Sequence, residues 1–243
     1  MIFTPDNAND RECWRWCPPS ATLLLTRTLP DPTWLEPPDL ERTGEPPVWV
    51  PTDREIADAV RALILTEPDV ITYACTSGSF CGPSDNEGRI REVMHGAGAA
   101  TPQTTSGALL DALRVLGVGS VAVGTPYHGS TTDALGAFLE RAGHGVASLV
   151  HADPAPWEAE AYLTPTQVVD LAARADRPDA DAIFLSCTTL ETFDLIAGIE
   201  ERLSKPVLTA TQVTMWAALG AAGVNAIGTG QALLRHRWQP ARG

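Results

Sequence analysis

The chain has 243 residues, 44% of them hydrophobic, enough to bury a substantial core in one large or two small domains. Its 30 acidic against 17 basic residues give a formal net charge of -13, and no basic stripe offsets it, which argues against nucleic acid or an anionic membrane as partner. A small anion remains admissible as a ligand, because local donors rather than net charge hold it.

The opening MIFTPDNANDRECW lacks the basic start, apolar run and small-residue cleavage site of a signal peptide, and no apolar run reaches the ~18 residues of a membrane span. Five cysteines, an odd number, fit free thiols in a reducing cytoplasm better than a disulfide framework. In chain order, ATLLLTR (21–27) reads as a strand. Residues 28–52 are too rich in proline for a helix or a central strand, and read as a long ordered loop, either a lid over a cleft or a stiff surface connection. Residues 53–64 place Ile56, Val60, Leu63 and Ile64 on one helical face with Asp53 as N-cap. DVITYAC (69–75) is the next strand, and an Ala/Leu-rich helix follows over 106–116, ended by Gly117. SVAVGT (120–125), GVASLV (145–150), DAIFLSC (181–187) and KPVLTA (205–210) are further strands, and a helix over 212–222 ends at Gly223. Short strands without polar alternation suit parallel sheets covered on both faces, so the alternation implies an α/β fold with right-handed crossovers.

An internal duplication gives this alternation its shape. Asp69-Val-Ile-x-x-x-Cys75-Thr76-Ser77 aligns with Asp181-Ala-Ile-x-x-x-Cys187-Thr188-Thr189, and further on Thr105, Ala112-Leu113 and Gly117-Val118 align with Thr211, Ala218-Leu219 and Gly223-Val224. Matches in the same order at nearly the same spacing predict two pseudo-symmetric, Rossmann- or flavodoxin-like lobes, each with a small parallel sheet and with a cleft between them. The expected boundaries are 1–117 plus 212–243 for the first lobe, carrying Cys75, and 118–211 for the second, carrying Cys187.

Cys75 and Cys187 each end an apolar strand, where open α/β sheets bind ligands. The hydroxyls that follow can cap a helix, and two helix N-termini would favour thiolates and, with Thr76, Ser77, Thr188 and Thr189, hold carboxylates. A lone cysteine is usually core filling. Two at equivalent strand ends, each with a hydroxyl-rich turn, point instead to nucleophilic or acid–base chemistry.

Tyr73-Ala74-Cys75-Thr76-Ser77-Gly78-Ser79-Phe80, Ala182-Ile183-Phe184-Leu185-Ser186-Cys187-Thr188 and Lys205-Pro206-Val207-Leu208 strongly resemble the maleate cis–trans isomerases, and more widely the arylmalonate decarboxylases and the Asp/Glu racemase superfamily. Thr26-Arg27, Thr125-Pro126-Tyr127 and Gln212 with Met215-Trp216-Ala217-Ala218-Leu219 extend the resemblance over nearly the whole chain. It implies cofactor-independent isomerisation of a maleate-like dicarboxylate, with Cys75 adding to the double bond and Cys187 supplying and removing a proton. The same pair of cysteines leaves open a racemase of amino acids, hydantoins or aryl acids. The decarboxylases resemble this chain only at the second cysteine, which sets decarboxylation lower. A two-lobed carboxylate-binding protein is the non-enzymatic alternative, though it would not need two thiols.

The resemblance also implies that Tyr127 hydrogen-bonds a substrate carboxylate, where a buried tyrosine satisfying its own hydroxyl is the alternative. An N-terminal asparagine would touch the substrate, in a register that admits Asn7 or Asn9. The family pattern has Asn where Thr211 stands here. Arg27 is read either as a partner of a substrate carboxylate or as half of a lobe-interface ion pair. Cys13 and Cys17 lack the second Cys/His pair of a metal site, Cys81 could line the pocket without reacting, and the histidines have no ligand spacing, so no metal or cofactor is expected. Gly78 and Gly82 allow a sharp turn beside Cys75. Assembly into a symmetric homo-oligomer is left open.

Overall fold

Two wholly parallel four-stranded sheets organise the computed structural model, which describes residues 1–4, 10–29, 48, 50–152 and 163–240. The first has the order β2-β1-β3-β4, built from Thr26–Arg27, Ile2–Phe3, Ile71–Tyr73 and Pro102–Thr104. The second has the order β6-β5-β7-β8, from Gly145–His151, Ser120–Thr125, Ala182–Leu185 and Val207–Thr209. Each sheet therefore repeats one strand order, and the likeness between the cysteine motifs extends to topology. Asn7 and Asn9 lie outside the described residues, as does most of the proline-rich stretch 28–52.

The strand at 120–125 coincides with its expectation, whereas the one expected over 21–27 pairs only through Thr26 and Arg27. It lies at a sheet edge against the two-residue β1, so its remaining residues find no ladder partner. Leu23 and Leu25 pack on the core nonetheless. β1 and β4, two and three residues long, were too short to announce themselves by pattern.

Helices α1 (Asp10–Trp16), α2 (Asp53–Ile64), α3 (Thr76–Phe80), α4 (Asn86–Gly96), α5 (Thr105–Leu116), α6 (Gly129–Arg141), α7 (Pro165–Ala175), α8 (Ile196–Leu203) and α9 (Ala210–Ala221) connect and cover the sheets. α2 buries Ile56, Ala59, Val60 and Leu63, each large side chain contributing about 1.5–3 kcal/mol. Its N-cap is Thr52 rather than Asp53: the Thr52 hydroxyl accepts the Glu55 amide and the Glu55 carboxylate accepts the Thr52 amide. Asp53 takes the first helical position, where its charge faces the positive end of the helix dipole.

α5 and α9 each start directly after a strand, under Thr104 and Thr209 caps, and are closed by Gly117 (φ +67°) and Gly223 (φ +76°), left-handed positions that favour glycine. Leu109 and Leu113 of α5 join a cluster with Val121 and Phe184 of the second sheet. Met215 and Leu219 of α9 join Phe3 of the first sheet and Met1 beside it. Each helix thus places apolar side chains against the sheet other than the one whose last strand it follows, and the two are joined by a hydrogen bond of 2.8 Å between Thr105 Oγ1 and Thr214 Oγ1. Among the described residues no helix is long and apolar enough to cross a membrane.

Candidate active site

Cys75 lies two residues beyond β3 and Cys187 two beyond β7, equivalent inner strands of the two sheets. The turns they open then differ. Cys75 is itself the N-cap of α3: the Gly78 amide donates to its Sγ at 3.3 Å, and Ser77 Oγ stands 3.8 Å from it. A donor aimed at sulfur stabilises the anion relative to the thiol. The expectation that the following hydroxyls would form the cap is corrected here, since the thiol takes that place. Thr76 becomes the first helical residue, buried, its Oγ1 without a hydrogen-bond partner among the described residues.

The second turn corrects a further expectation. No helix starts directly behind Cys187 in the chain, since α8 begins only at Ile196. Cys187 has φ +89°, a left-handed backbone that costs a residue with a side chain about 1–3 kcal/mol. That conformation turns Sγ back toward Thr189, 2.9 Å from its Oγ1 and 3.5 Å from its amide nitrogen. A hydroxyl can donate to a thiolate or accept from a thiol, so this environment suits a group that changes protonation state.

Tyr127 lies just past β5. It is buried, accepts a hydrogen bond from Ser186 Oγ at 3.2 Å, is hydrogen-bonded to Cys187 and lies within electrostatic reach of Cys75. Burial first, and the neighbouring Cys187 second, push the phenol well above its usual range, so it stays a neutral O–H. Thr188 Oγ1 donates to the Ala74 carbonyl at 3.4 Å, and the Thr188 carbonyl accepts from Thr211 Oγ1 at 3.2 Å. The turn of one lobe is thereby tied to the strand end of the other.

Cys75, Thr76 and Ser77 consequently belong to one turn and Cys187, Thr188 and Thr189 to the other, with Tyr127 contributed by the segment after β5. Arg27 lies on β2, where its guanidinium pairs with Asp10 at 2.8 Å and stands 5.7 Å from the centre of the Phe3 ring. The three other thiols are buried or half-buried. Burial pushes Cys13 and Cys81 up to about 12, and it raises Cys17 as well, so these three are protonated at neutral pH.

Sequence reasoning missed three supports. Ser186 holds Tyr127 from the residue before Cys187. Asn86, buried at the start of α4, donates to the carbonyls of Gly78 at 2.9 Å and Cys81 at 2.6 Å, fixing the loop behind Cys75. Glu12 of α1 accepts the amides of Thr192 and Phe193 in the segment behind Cys187. No spacing announces the last two, because their partners are distant neighbours or backbone groups.

The profile of the family described as arylmalonate decarboxylase matches residues 51–234. The arylmalonate decarboxylase of Bordetella bronchiseptica is 32% identical over 170 residues, 69% of this chain and 71% of its own. The maleate isomerase of Geobacillus stearothermophilus is 27% identical over 157 residues, 62% of each chain. The solved structure of unliganded arylmalonate decarboxylase superposes with a TM-score of 0.78 at 26% identity, covering 96% of this chain and 97% of the other.

Proposed function

The chain belongs to the arylmalonate decarboxylase family, and on that premise we propose that it is a cysteine-dependent cis–trans isomerase of a maleate-like dicarboxylate. The observation that carries this reading is the pairing of two thiols, one from each lobe, around the neutral hydroxyl of Tyr127.

The Cys75 thiolate, stabilised by the Gly78 amide, adds to one alkene carbon. The π-electron pair moves to the neighbouring carbon, which takes a proton from the Cys187 thiol and leaves a saturated adduct. The central bond is now single and rotates. Cys187, as thiolate, removes the proton, the double bond reforms in the trans arrangement and Cys75 leaves as thiolate, so both cysteines return to their starting states. Tyr127, held in the neutral form, donates to a carboxylate oxygen as charge gathers there during addition. The hydroxyls of Ser77, Thr76 and Thr189 are further donors at the two turns.

A second reading follows from the 32% identity to a decarboxylase. Loss of CO2 from an arylmalonate would leave a carbanion that Cys187 protonates, with no covalent task for Cys75. Proton NMR in deuterated buffer separates the two. With maleate, the wild type yields fumarate, and Cys75→Ser and Cys187→Ser each lower the rate by about 10³-fold or more. Unchanged maleate, together with CO2 release from an arylmalonate that survives Cys75→Ser, would overturn the isomerase and establish the decarboxylase.

A further inference from the structure

Glu12 lies on α1, in the first lobe, and is 5% exposed. Its Oε1 accepts the amides of Thr192 and Phe193, the latter at 2.6 Å. These amides belong to the segment that runs from Cys187 to α8. α1 grips the same segment in other ways. Arg15 pairs with both oxygens of Asp194, one at 2.6 Å, and stands 4.2 Å from the centre of the Phe193 ring. Trp16 meets that ring edge-on at 4.9 Å. On the other side Thr192 Oγ1 is 2.9 Å from Thr209 Oγ1, and Gln231 Nε2 donates to the Phe193 carbonyl at 3.2 Å.

A buried carboxylate is an unfavourable way merely to attach a helix, because an apolar contact avoids desolvating a charge. Here Glu12 Oε2 has no partner among the described residues. What the carboxylate gains is a hold on that segment at a point five residues after a thiol with left-handed backbone. We infer that Glu12 is a positioning residue for Cys187: by accepting the two amides it anchors the far end of the turn and keeps the strained Cys187 backbone, and with it the thiol, aimed at Tyr127.

The hold depends on charge. Burial pushes the Glu12 carboxyl up to about 7; the Phe193 and Thr192 amides and Arg15 oppose this, and Glu191 adds to it. Arg11 and Asp194 line the same cavity of about 170 Å³ as Glu12, and Asp10 lies near it on α1, beside the buried Cys13. Protonation would fall on the partnerless Oε2 and leave Oε1 a neutral acceptor, which weakens both amide bonds. The consequence for turnover rests on Cys187 being the acid/base, but the reactivity of the thiol itself does not.

The test is alkylation with iodoacetamide from about pH 5.5 to about 8.5, with the rates at Cys187 and Cys75 read separately by mass spectrometry. In the wild type the ratio of the two rates should step near pH 7. Glu12→Gln, which keeps an acceptor at Oε1, should remove the step. Glu12→Ala should change the ratio by about tenfold or more while leaving Cys75 within about twofold. Equal pH curves for wild type and Glu12→Gln, or a parallel change at both cysteines, would overturn the inference. If the alanine variant does not fold, the glutamine curve decides alone. A step in the ratio in a protein that leaves maleate unchanged would remove the isomerase reading and keep this one.

Discussion

Cys75 and Cys187 end equivalent strands of two sheets with one strand order, yet their turns are held by opposite means. The first is secured from within its own lobe by neutral groups. Gly78 donates to the sulfur, Ser79 Oγ donates to the Cys75 carbonyl at 2.8 Å, and Asn86 fixes the loop behind. The second is held by Thr209 of its own lobe and in addition from across the boundary, by a carboxylate and an ion pair on α1 and by the Thr188 bond to Ala74, around a residue with φ +89°. The difference teaches that duplication keeps the place of a thiol while leaving its role open. Place follows from the end of a strand, whereas role follows from what other elements bring to the turn. A nucleophile profits from a fixed backbone donor; a group that must cycle between thiol and thiolate profits from hydroxyls that both donate and accept.

The comparison can be broken or sharpened by four measurements. The largest effect is expected from Glu12. Its carboxyl is held near 7 against an ordinary 4.5, so the native state binds more protons than the unfolded state between these values. Stability should therefore fall as pH rises through that window, by on the order of 3 kcal/mol. Thermal melts should show this decline in the wild type and a flatter profile in Glu12→Gln; identical slopes would remove the asymmetry. Next, Cys187→Gly relieves a left-handed backbone and Cys75→Gly does not, so in urea denaturation the second should lose about 1–3 kcal/mol more than the first. Equal losses would mean that the Cys187 turn stores no strain.

Tyr127→Phe should lower kcat by about 10- to 100-fold, through the loss of one hydrogen bond to a charged group, and leave the melting temperature within a few degrees. A melting loss as large as the rate loss would assign the tyrosine to the core instead. The smallest effect is expected for Thr188→Val, which removes the 3.4 Å bond to Ala74 and should cost about 1 kcal/mol in a denaturant titration.

Much of the scaffold was legible. The strand over 120–125 and the helix over 53–64 were readable because buried apolar runs and a 3.6-residue period are local properties. The Cys-Thr-Ser and Cys-Thr-Thr alignment located both thiols because a strand end is also local. Arg27, by contrast, offered two partners that a sequence does not rank, and the fold pairs it with Asp10, which α1 brings beside it. Glu12 and Asn86 carried no signal at all, since each is defined by backbone groups that only folding brings to it.

The amino-acid sequence by itself determined the α/β alternation, the duplication and the two strand-end cysteines, all set by patterns within short windows of chain. Only the tertiary structure decided which thiol would cap a helix, which would sit in a left-handed turn, and which acid would hold that turn. Those choices depend on contacts between residues as far apart as Glu12 and Thr192, and on desolvation that exists only once the lobes have closed over them.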